Sequence, residues 1–172
     1  MRIRILVIII SIIVFLFNSS NFSLGAEEEK IGYIDLSRLF DEYNKTKDLD
    51  KELEKKSDAK QAEREKIVKE IKAFKDELEL ANEKARDKKQ EQIDKKIKEL
   101  QDFDETTRDE LTKERDVMVR DILAEIDKII QEYGENKKYT YIFNDRILLY
   151  GKKEFNITDD ILNILNEKYL KK

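Results

Sequence analysis

The sequence predicts a mainly α protein with a small β head, in which a long antiparallel helical hairpin projects from a short-stranded body that oligomerises. Residues 33–133 contain no proline and no glycine, the two residues that most reliably end helices. Short β-like runs lie only on either side of this span. We therefore divide the chain into a head of residues 27–44 and 134–172 and a helical hairpin arm of residues 45–133.

The first 26 residues have the composition of a secretory signal peptide. A basic start with Arg2 and Arg4 precedes residues 5–17, which are apolar except for Ser11 and too few to span a bilayer comfortably. We expect export and cleavage after Ala26, and an uncleaved N-terminal anchor is the alternative. The chain contains no cysteine, which excludes a lipoprotein anchor.

Composition excludes several classes of function. Without residues 1–26 the chain keeps 33 basic and 39 acidic residues, a net charge of −6, whereas nucleic-acid binding needs clustered basic residues. The absence of histidine and cysteine removes the usual general base, thiol nucleophile and transition-metal ligands. We therefore expect no nucleic-acid partner, no enzymatic activity, no cofactor and no metal site.

The arm shows an amphipathic stripe whose apolar residues recur three and four positions apart. The two halves of the stripe mirror each other, which predicts an antiparallel hairpin with its tip at residues 85–89. The matched pairs are Leu78 with Ile97, Phe74 with Leu100, Ile71 with Phe103, Leu53 with Ile122 and Leu49 with Ile126. Asp87 or Asn82 could adopt the left-handed conformation that a tight turn needs. The alternative is one continuous rod of about 100 residues.

Two stretches of the arm differ from the rest. Apolar residues are sparse at 54–66 and 108–116. We expect the arm either to bend there or to be kept rigid by ion pairs between the helices. Residues 82–98 hold seven basic and four acidic side chains, so the tip is locally positive. The tip either contacts anionic lipid or an acidic partner, or is a solvated helix end. The candidate contacts are Lys84, Arg86, Lys88 and Lys89.

The head sequence predicts three short strands. Residues 30–35 read as a strand followed by a helical turn at 36–40, with Asp35 as its cap. Residues 139–143 and 147–150 are strand-like runs, and the Asn-Asp-Arg sequence between them indicates a β-hairpin.

A last helix is predicted to begin near Thr158, which would cap it. Asp159 and Asp160 follow in its first turn, where negative charge is favourable, and apolar residues then recur at helical spacing. The sequence Asn156-Ile157-Thr158 also matches a glycosylation sequon, but we favour the helix start.

So small a head leaves open strand edges and too little apolar surface to hold two long helices. We therefore expect obligate association through the head. The candidate oligomerisation residues are Ile31, Tyr33, Ile34, Tyr141, Ile142, Phe143, Ile147, Leu148, Leu149 and Tyr150.

This order of elements resembles the Skp, or OmpH-like, family of periplasmic chaperones over nearly all of the mature chain. The most specific matches are Ile31-Gly32-Tyr33-Ile34-Asp35 with Leu39-Phe40, and Leu149-Tyr150-Gly151 with Ile157-Thr158-Asp159 and Ile161-Leu162. The resemblance implies a homotrimer whose three heads form a small β barrel and whose arms enclose a cavity. It also implies that unfolded outer-membrane β-barrel proteins are held there without ATP.

The chain departs from this family in charge. Well-studied members are strongly basic, whereas this sequence has a pI near 5.3. Client contact would then rest more on apolar and multivalent weak contacts along the arms. The alternative function is a structural or adaptor coiled-coil protein of the cell envelope.

Overall fold

The computed structural model describes residues 29–171, which form a two-helix arm on a small head. The expected signal peptide lies outside the described residues. In chain order the elements are strand β1 (Ile31–Ile34), helix α1 (Leu36–Glu42), arm helices α2 (Asn44–Glu79) and α3 (Glu83–Lys137), strand β2 (Tyr141–Asn144), 3-10 turns at Asp145–Ile147 and Lys153–Phe155, and helix α4 (Thr158–Leu170).

The arm is an antiparallel hairpin, not a rod. Lys45 near the start of α2 pairs with Glu125 near the end of α3, with 2.5 Å between Nζ and Oε2. Towards the tip, Glu70 of α2 pairs with Lys96 of α3 at 2.7 Å. At 1.5 Å per residue, α2 is about 54 Å long and α3 about 80 Å long.

The turn lies at residues 80–82, earlier than the predicted tip at 85–89. Asn82 does not adopt a left-handed conformation: its φ is −74° and its side-chain oxygen accepts a hydrogen bond from the Ala85 amide at 3.1 Å, so it caps α3. Asp87 lies inside α3. The predicted left-handed residue is not needed, because Asn82 caps the start of α3 from an extended backbone conformation.

The register of the two helices also differs from the predicted one. Leu78 was predicted to lie opposite Ile97, whereas the neighbouring Lys96 pairs with Glu70, about two helical turns further along α2 from the turn. The polar middle of the arm explains this difference, because it offers few apolar residues with which to align the two halves.

Helix α3 continues through Gly134 and ends three residues later. Lys138, with φ 56°, is the left-handed residue that ends it, and it is the only non-glycine residue with a positive φ within 29–171. The helix of the arm therefore extends beyond residue 133, where the sequence analysis ended the arm. A single glycine costs a helix about 1 kcal/mol, which the long helix that precedes it can offset.

The sheet contains two strands among the described residues, and they are parallel. Ile31 aligns with Tyr141 and Ile34 with Asn144. The predicted β-hairpin is wrong: Asp145–Ile147 forms a 3-10 turn in which the Asn144 side chain accepts a hydrogen bond from the Arg146 amide. The three residues after Ile147 have no strand pairing. Asn144 caps a turn there instead of reversing the chain into a second strand.

The core joins the head to the base of the arm. Helix α4 contributes Ile161 and Leu165, α1 contributes Leu39, and α3 contributes Ile122 and Ile126, all with at most 1% of their surface exposed. Tyr43, between α1 and α2, is also fully buried and packs edge-to-face on Tyr169, with 5.9 Å between ring centroids. The arm is thus anchored at its base by apolar packing.

The start of α4 differs from the prediction in one respect. Thr158 is fully buried and its hydroxyl oxygen accepts a hydrogen bond from the Asp35 amide at 2.9 Å, so it does not cap its own helix. The side-chain oxygen of Asn156 accepts the Thr158 amide instead, at 2.9 Å. Asp35 caps α1 as predicted, with its carboxylate accepting the Arg38 amide at 2.8 Å.

Replacement of Thr158 by valine should lower the free energy of unfolding by about 1–3 kcal/mol, because the isosteric side chain leaves the Asp35 amide without its partner. Urea unfolding followed by circular dichroism measures this change. The exposed Asn163→Ala substitution on the same helix is the control, expected to stay within about 0.5 kcal/mol. Equal effects of the two substitutions would contradict this account.

Gly151 allows the close approach of an aromatic ring. A Cβ atom at this position would lie 2.8 Å from Cε1 of Tyr33. We expect Gly151→Ala to lower the free energy of unfolding by about 1–3 kcal/mol, because the ring must move. The midpoint of urea unfolding measures this loss, with Ser57→Ala on the exposed surface of α2 as control. An unchanged midpoint for Gly151→Ala would show that the ring moves freely.

Candidate interaction surfaces

The head exposes a group of large apolar side chains. Tyr150 is 82% exposed, Ile147 is 69% exposed and Leu149 is fully exposed. Tyr141 and Ile31, which are opposite each other at the start of the sheet, are also exposed. Single exposed apolar residues are common, but a contiguous group of this kind marks an interaction surface. We call Ile31, Tyr141, Ile147, Leu149, Tyr150 and Phe155 the apolar head surface.

An open apolar groove of about 430 Å³ lies within this part of the head. Its walls come from β1, β2 and the segment that follows β2, and the side chains that matter most are Ile31, Tyr33, Phe143, Leu148, Tyr150 and Phe155. The rings of Tyr141 and Phe143 stack with 5.8 Å between centroids. Two charged residues, Glu29 and Lys152, also line the groove, and both are exposed; the other walls are apolar side chains and glycines, so the groove is suited to apolar side chains.

The ten residues proposed for oligomerisation are not equivalent in the structure. Tyr33, Phe143 and Leu148 line the groove. Ile34 is 5% exposed and Ile142 packs against the core, so both face the interior of their own protomer. The proposal below therefore leaves Ile34 and Ile142 out. Phe155 also lines the groove but was not among the predicted residues. The signal for it in the sequence was a large apolar side chain in the otherwise polar segment after Gly151.

The arm is anchored at its ends and poorly packed between them. From residue 47 to residue 70 of α2, and from 94 to 121 of α3, no side chain is buried. Partly exposed apolar side chains remain on both helices, among them Val68, Val117 and Leu123. The arm thus offers a long, mostly charged surface with scattered apolar positions.

Charged groups hold the base of the arm in place. The Lys45–Glu125 pair lies where both side chains are largely buried. Burial, with a smaller contribution from the nearby Glu125 carboxylate, raises the pKa of the Tyr43 phenol. Tyr133 of α3 donates a hydrogen bond to Asp160 of α4 at 2.6 Å, and burial followed by this bond raises its pKa. Both phenols therefore remain protonated, and their role is to pack the base of the arm.

At the tip, the predicted contact residues fall into two groups. Lys84, Arg86 and Lys88 are exposed. Lys89 instead pairs with Glu77 across the turn and lies 5.6 Å from the centroid of the Phe74 ring. Sequence reasoning missed Leu80, which is 90% exposed at the turn itself. The signal that could have identified Leu80 was its position: it is a large apolar residue two positions before Asn82, and it was not part of the apolar stripe.

No metal-binding geometry is found in the part of the chain that the structure describes. Within residues 29–171, no group of three or more acidic side chains is placed to hold a metal ion. None of the helices described is long and apolar enough to cross a membrane.

These features define a class of protein: a small head with an exposed apolar surface that carries one long antiparallel helical arm. The chain belongs to the OmpH-like family, since the family model described as "Outer membrane protein (OmpH-like)" matches residues 30–165. The resemblance drawn from the sequence is thereby confirmed.

A solved structure supports the fold. The crystal structure of an OmpH-like protein from Caulobacter crescentus CB15, named as a candidate outer membrane chaperone, aligns with a TM-score of 0.76 and 13% sequence identity. The alignment covers 81% of this chain and 85% of the Caulobacter chain. No curated protein matches the sequence.

Proposed function

We propose that this protein is an ATP-independent holdase chaperone of the periplasm. It is exported with a signal peptide that is cleaved after Ala26, and it binds unfolded outer-membrane β-barrel proteins in a cavity between helical arms, which prevents their aggregation. The observation that carries the proposal is a long, sparsely packed arm on a head whose large apolar side chains are exposed. Membership of the OmpH-like family supports it.

The active form is a homotrimer joined through the apolar head surface. Exposed aromatic and aliphatic side chains at this surface would be buried against the neighbouring copies, which supplies the stability that a two-stranded sheet lacks. The strand-like segment after Ile147, unpaired in the protomer, would lie at this interface. Three copies is the number that the family resemblance implies.

Clients contact the arms through many weak interactions. Val68, Val117 and Leu123 are each partly exposed, so each offers a small apolar contact. Several such contacts on three arms combine into useful avidity even if each is weak. The sequence has no glycine-rich phosphate-binding loop, so client release needs no nucleotide hydrolysis.

The tips of the arms are proposed to touch anionic lipid headgroups. Lys84, Arg86 and Lys88 are exposed around the turn, and the exposed Leu80 side chain lies beside them. Basic side chains are attracted to anionic membrane surfaces, and an apolar residue adds to this attraction. Lys89 contributes less, because it is engaged with Glu77.

An aggregation assay tests the function. An unfolded β-barrel membrane protein is diluted from urea into buffer with the purified chaperone at one trimer per client, and light scattering is followed. We expect the client to stay soluble without added nucleotide. If several clients aggregate as fast as in buffer alone, the protein is better described as an adaptor coiled coil of the envelope.

A further inference from the structure

The middle of the arm is packed by charged side chains at positions where the rest of the arm uses apolar ones. On α2, the three-and-four spacing from Leu53 to Ile67 runs through residues 56, 60 and 64. These positions are Lys56, Lys60 and Arg64. Each of the three is paired with an acidic side chain of α3, so the stripe continues through this stretch as a row of ion pairs.

The charged groups of these pairs are in direct contact. Lys60 Nζ lies 3.1 Å from Glu110 Oε2, and Arg64 contacts Asp104 with Nε at 2.9 Å and Nη2 at 3.2 Å from its two oxygens. Lys56 pairs with Glu114. All three basic side chains come from α2 and all three acidic ones from α3. We call residues 54–66 of α2 and 104–116 of α3 the ionic joint.

Besides these pairs, Lys60 Nζ also lies 5.7 Å from the centroid of the Phe103 ring on α3, and apolar packing within the ionic joint is sparse. None of its side chains is buried, whereas Ile71 and Ile93 are buried towards the tip and Ile122 and Ile126 towards the head. Thr107, near the tip end of the α3 part of the joint, is partly exposed as a residue, but its hydroxyl oxygen is buried without a hydrogen-bond partner among the described residues. A buried polar atom without a hydrogen-bond partner destabilises the closed arm, because it has lost its contact with water.

Salt should act strongly on such a joint. The paired side chains are each about one-third to one-half exposed, so water and ions reach them. Each ion pair at this exposure contributes little by itself, but the joint depends on three of them, and all three are screened together when the Debye length falls to about 3 Å at 1 M salt. Apolar packing on either side of the joint is not weakened by salt in this way.

We propose that the ionic joint is a salt-sensitive hinge of the arm: it opens as ionic strength rises, while the apolar segments on either side stay closed. The outer part of the arm then changes its angle to the head. The use of this motion, to fit the cavity to clients of different size, rests on the proposed chaperone function. The hinge itself does not, because it is a property of one arm without a client.

Hydrogen exchange of the client-free protein tests the hinge. We expect amides of the ionic joint to exchange about tenfold faster when NaCl is raised to about 1 M, because three surface ion pairs are lost together. Amides at 67–78 and 117–130 should change by less than about twofold. No salt effect on the joint, or an equal effect along the whole arm, would overturn the proposal.

Charge variants separate the hinge from a general effect of salt. Lys60→Glu places two carboxylates opposite each other and should speed exchange of the joint already at low salt. The double variant Lys60→Glu with Glu110→Lys restores an ion pair and should restore both the protection and its salt sensitivity. Lys95→Gln, in an exposed pair with Glu91 outside the joint, is the matched control and should behave as wild type. A double variant that stays as open as Lys60→Glu would contradict the hinge.

This experiment and the aggregation assay fail independently. Loss of holding activity with a normal salt response would remove the chaperone function and leave the hinge. Normal holding activity with an arm that does not respond to salt would remove the hinge and leave the chaperone function.

Discussion

Replacement of both Leu149 and Tyr150 by glutamate is expected to dissociate the proposed homotrimer and to abolish holding activity. Both side chains are more than four-fifths exposed in the protomer, so they contribute little to its own core. Burying two carboxylates per protomer in an apolar interface without partners is strongly unfavourable. We expect association to weaken by at least about 100-fold, measured by sedimentation velocity across micromolar concentrations.

The control for this variant adds the same charge elsewhere on the molecule. Asn136→Glu with Asn163→Glu places two carboxylates on exposed helical positions, and it should leave both mass and holding activity unchanged. The urea midpoint of secondary-structure loss separates dissociation from unfolding of the protomer. A Leu149→Glu, Tyr150→Glu variant with wild-type mass would show that the apolar head surface is not the interface.

The second large effect is expected for Ile126→Ala at the base of the arm. Ile126 is completely buried in the core that joins α3 to the head. Truncation of a fully buried isoleucine removes its packing and leaves a cavity, which costs about 2–5 kcal/mol. The loss is measured as a fall in the free energy of unfolding in urea.

Leu123→Ala is the matched control, because Leu123 lies on the same helix and is 38% exposed. Its effect should be less than half of that of Ile126→Ala. Similar losses for the two substitutions would mean that the docking of the arm does not depend on this core.

The helical arm could be predicted because its signals are repeated many times. A proline-free and glycine-free span with a regular apolar stripe permits few structures other than long helices, and the mirror symmetry of the stripe identified the hairpin. The cap at Asp35 was also predictable, because it depends on one side chain and the next turn of helix. Signals of this kind are local and do not depend on the rest of the fold.

The features that could not be predicted depend on contacts between distant parts of the chain. The Asn-Asp-Arg sequence at 144–146 suits a hairpin turn and a 3-10 turn equally well. The strand partner of β2 is β1, which precedes the arm in the chain and pairs with β2 in parallel. Likewise Thr158 looks like a cap in sequence, but its hydroxyl is taken by the Asp35 amide, 123 positions away.

The register between the two arm helices could not be predicted from the sequence for a different reason. The alignment of the two helices was inferred from apolar residues alone, yet in the middle of the arm the cross-helix partners are charged. Lys60 with Glu110 is one such pair, and nothing in a list of apolar positions could align them.

The parallel pairing of β1 with β2 has a consequence for the length of the arm. The chain leaves β1 at Ile34, passes through α1 and the arm, and returns at Tyr141 on the neighbouring strand, so the whole arm is inserted between two adjacent strands. Removing or adding equal numbers of whole turns in α2 and α3 would change how far the arm reaches without displacing either strand. Reach is therefore a modular property of this architecture, and it can vary between relatives while the base they share stays the same.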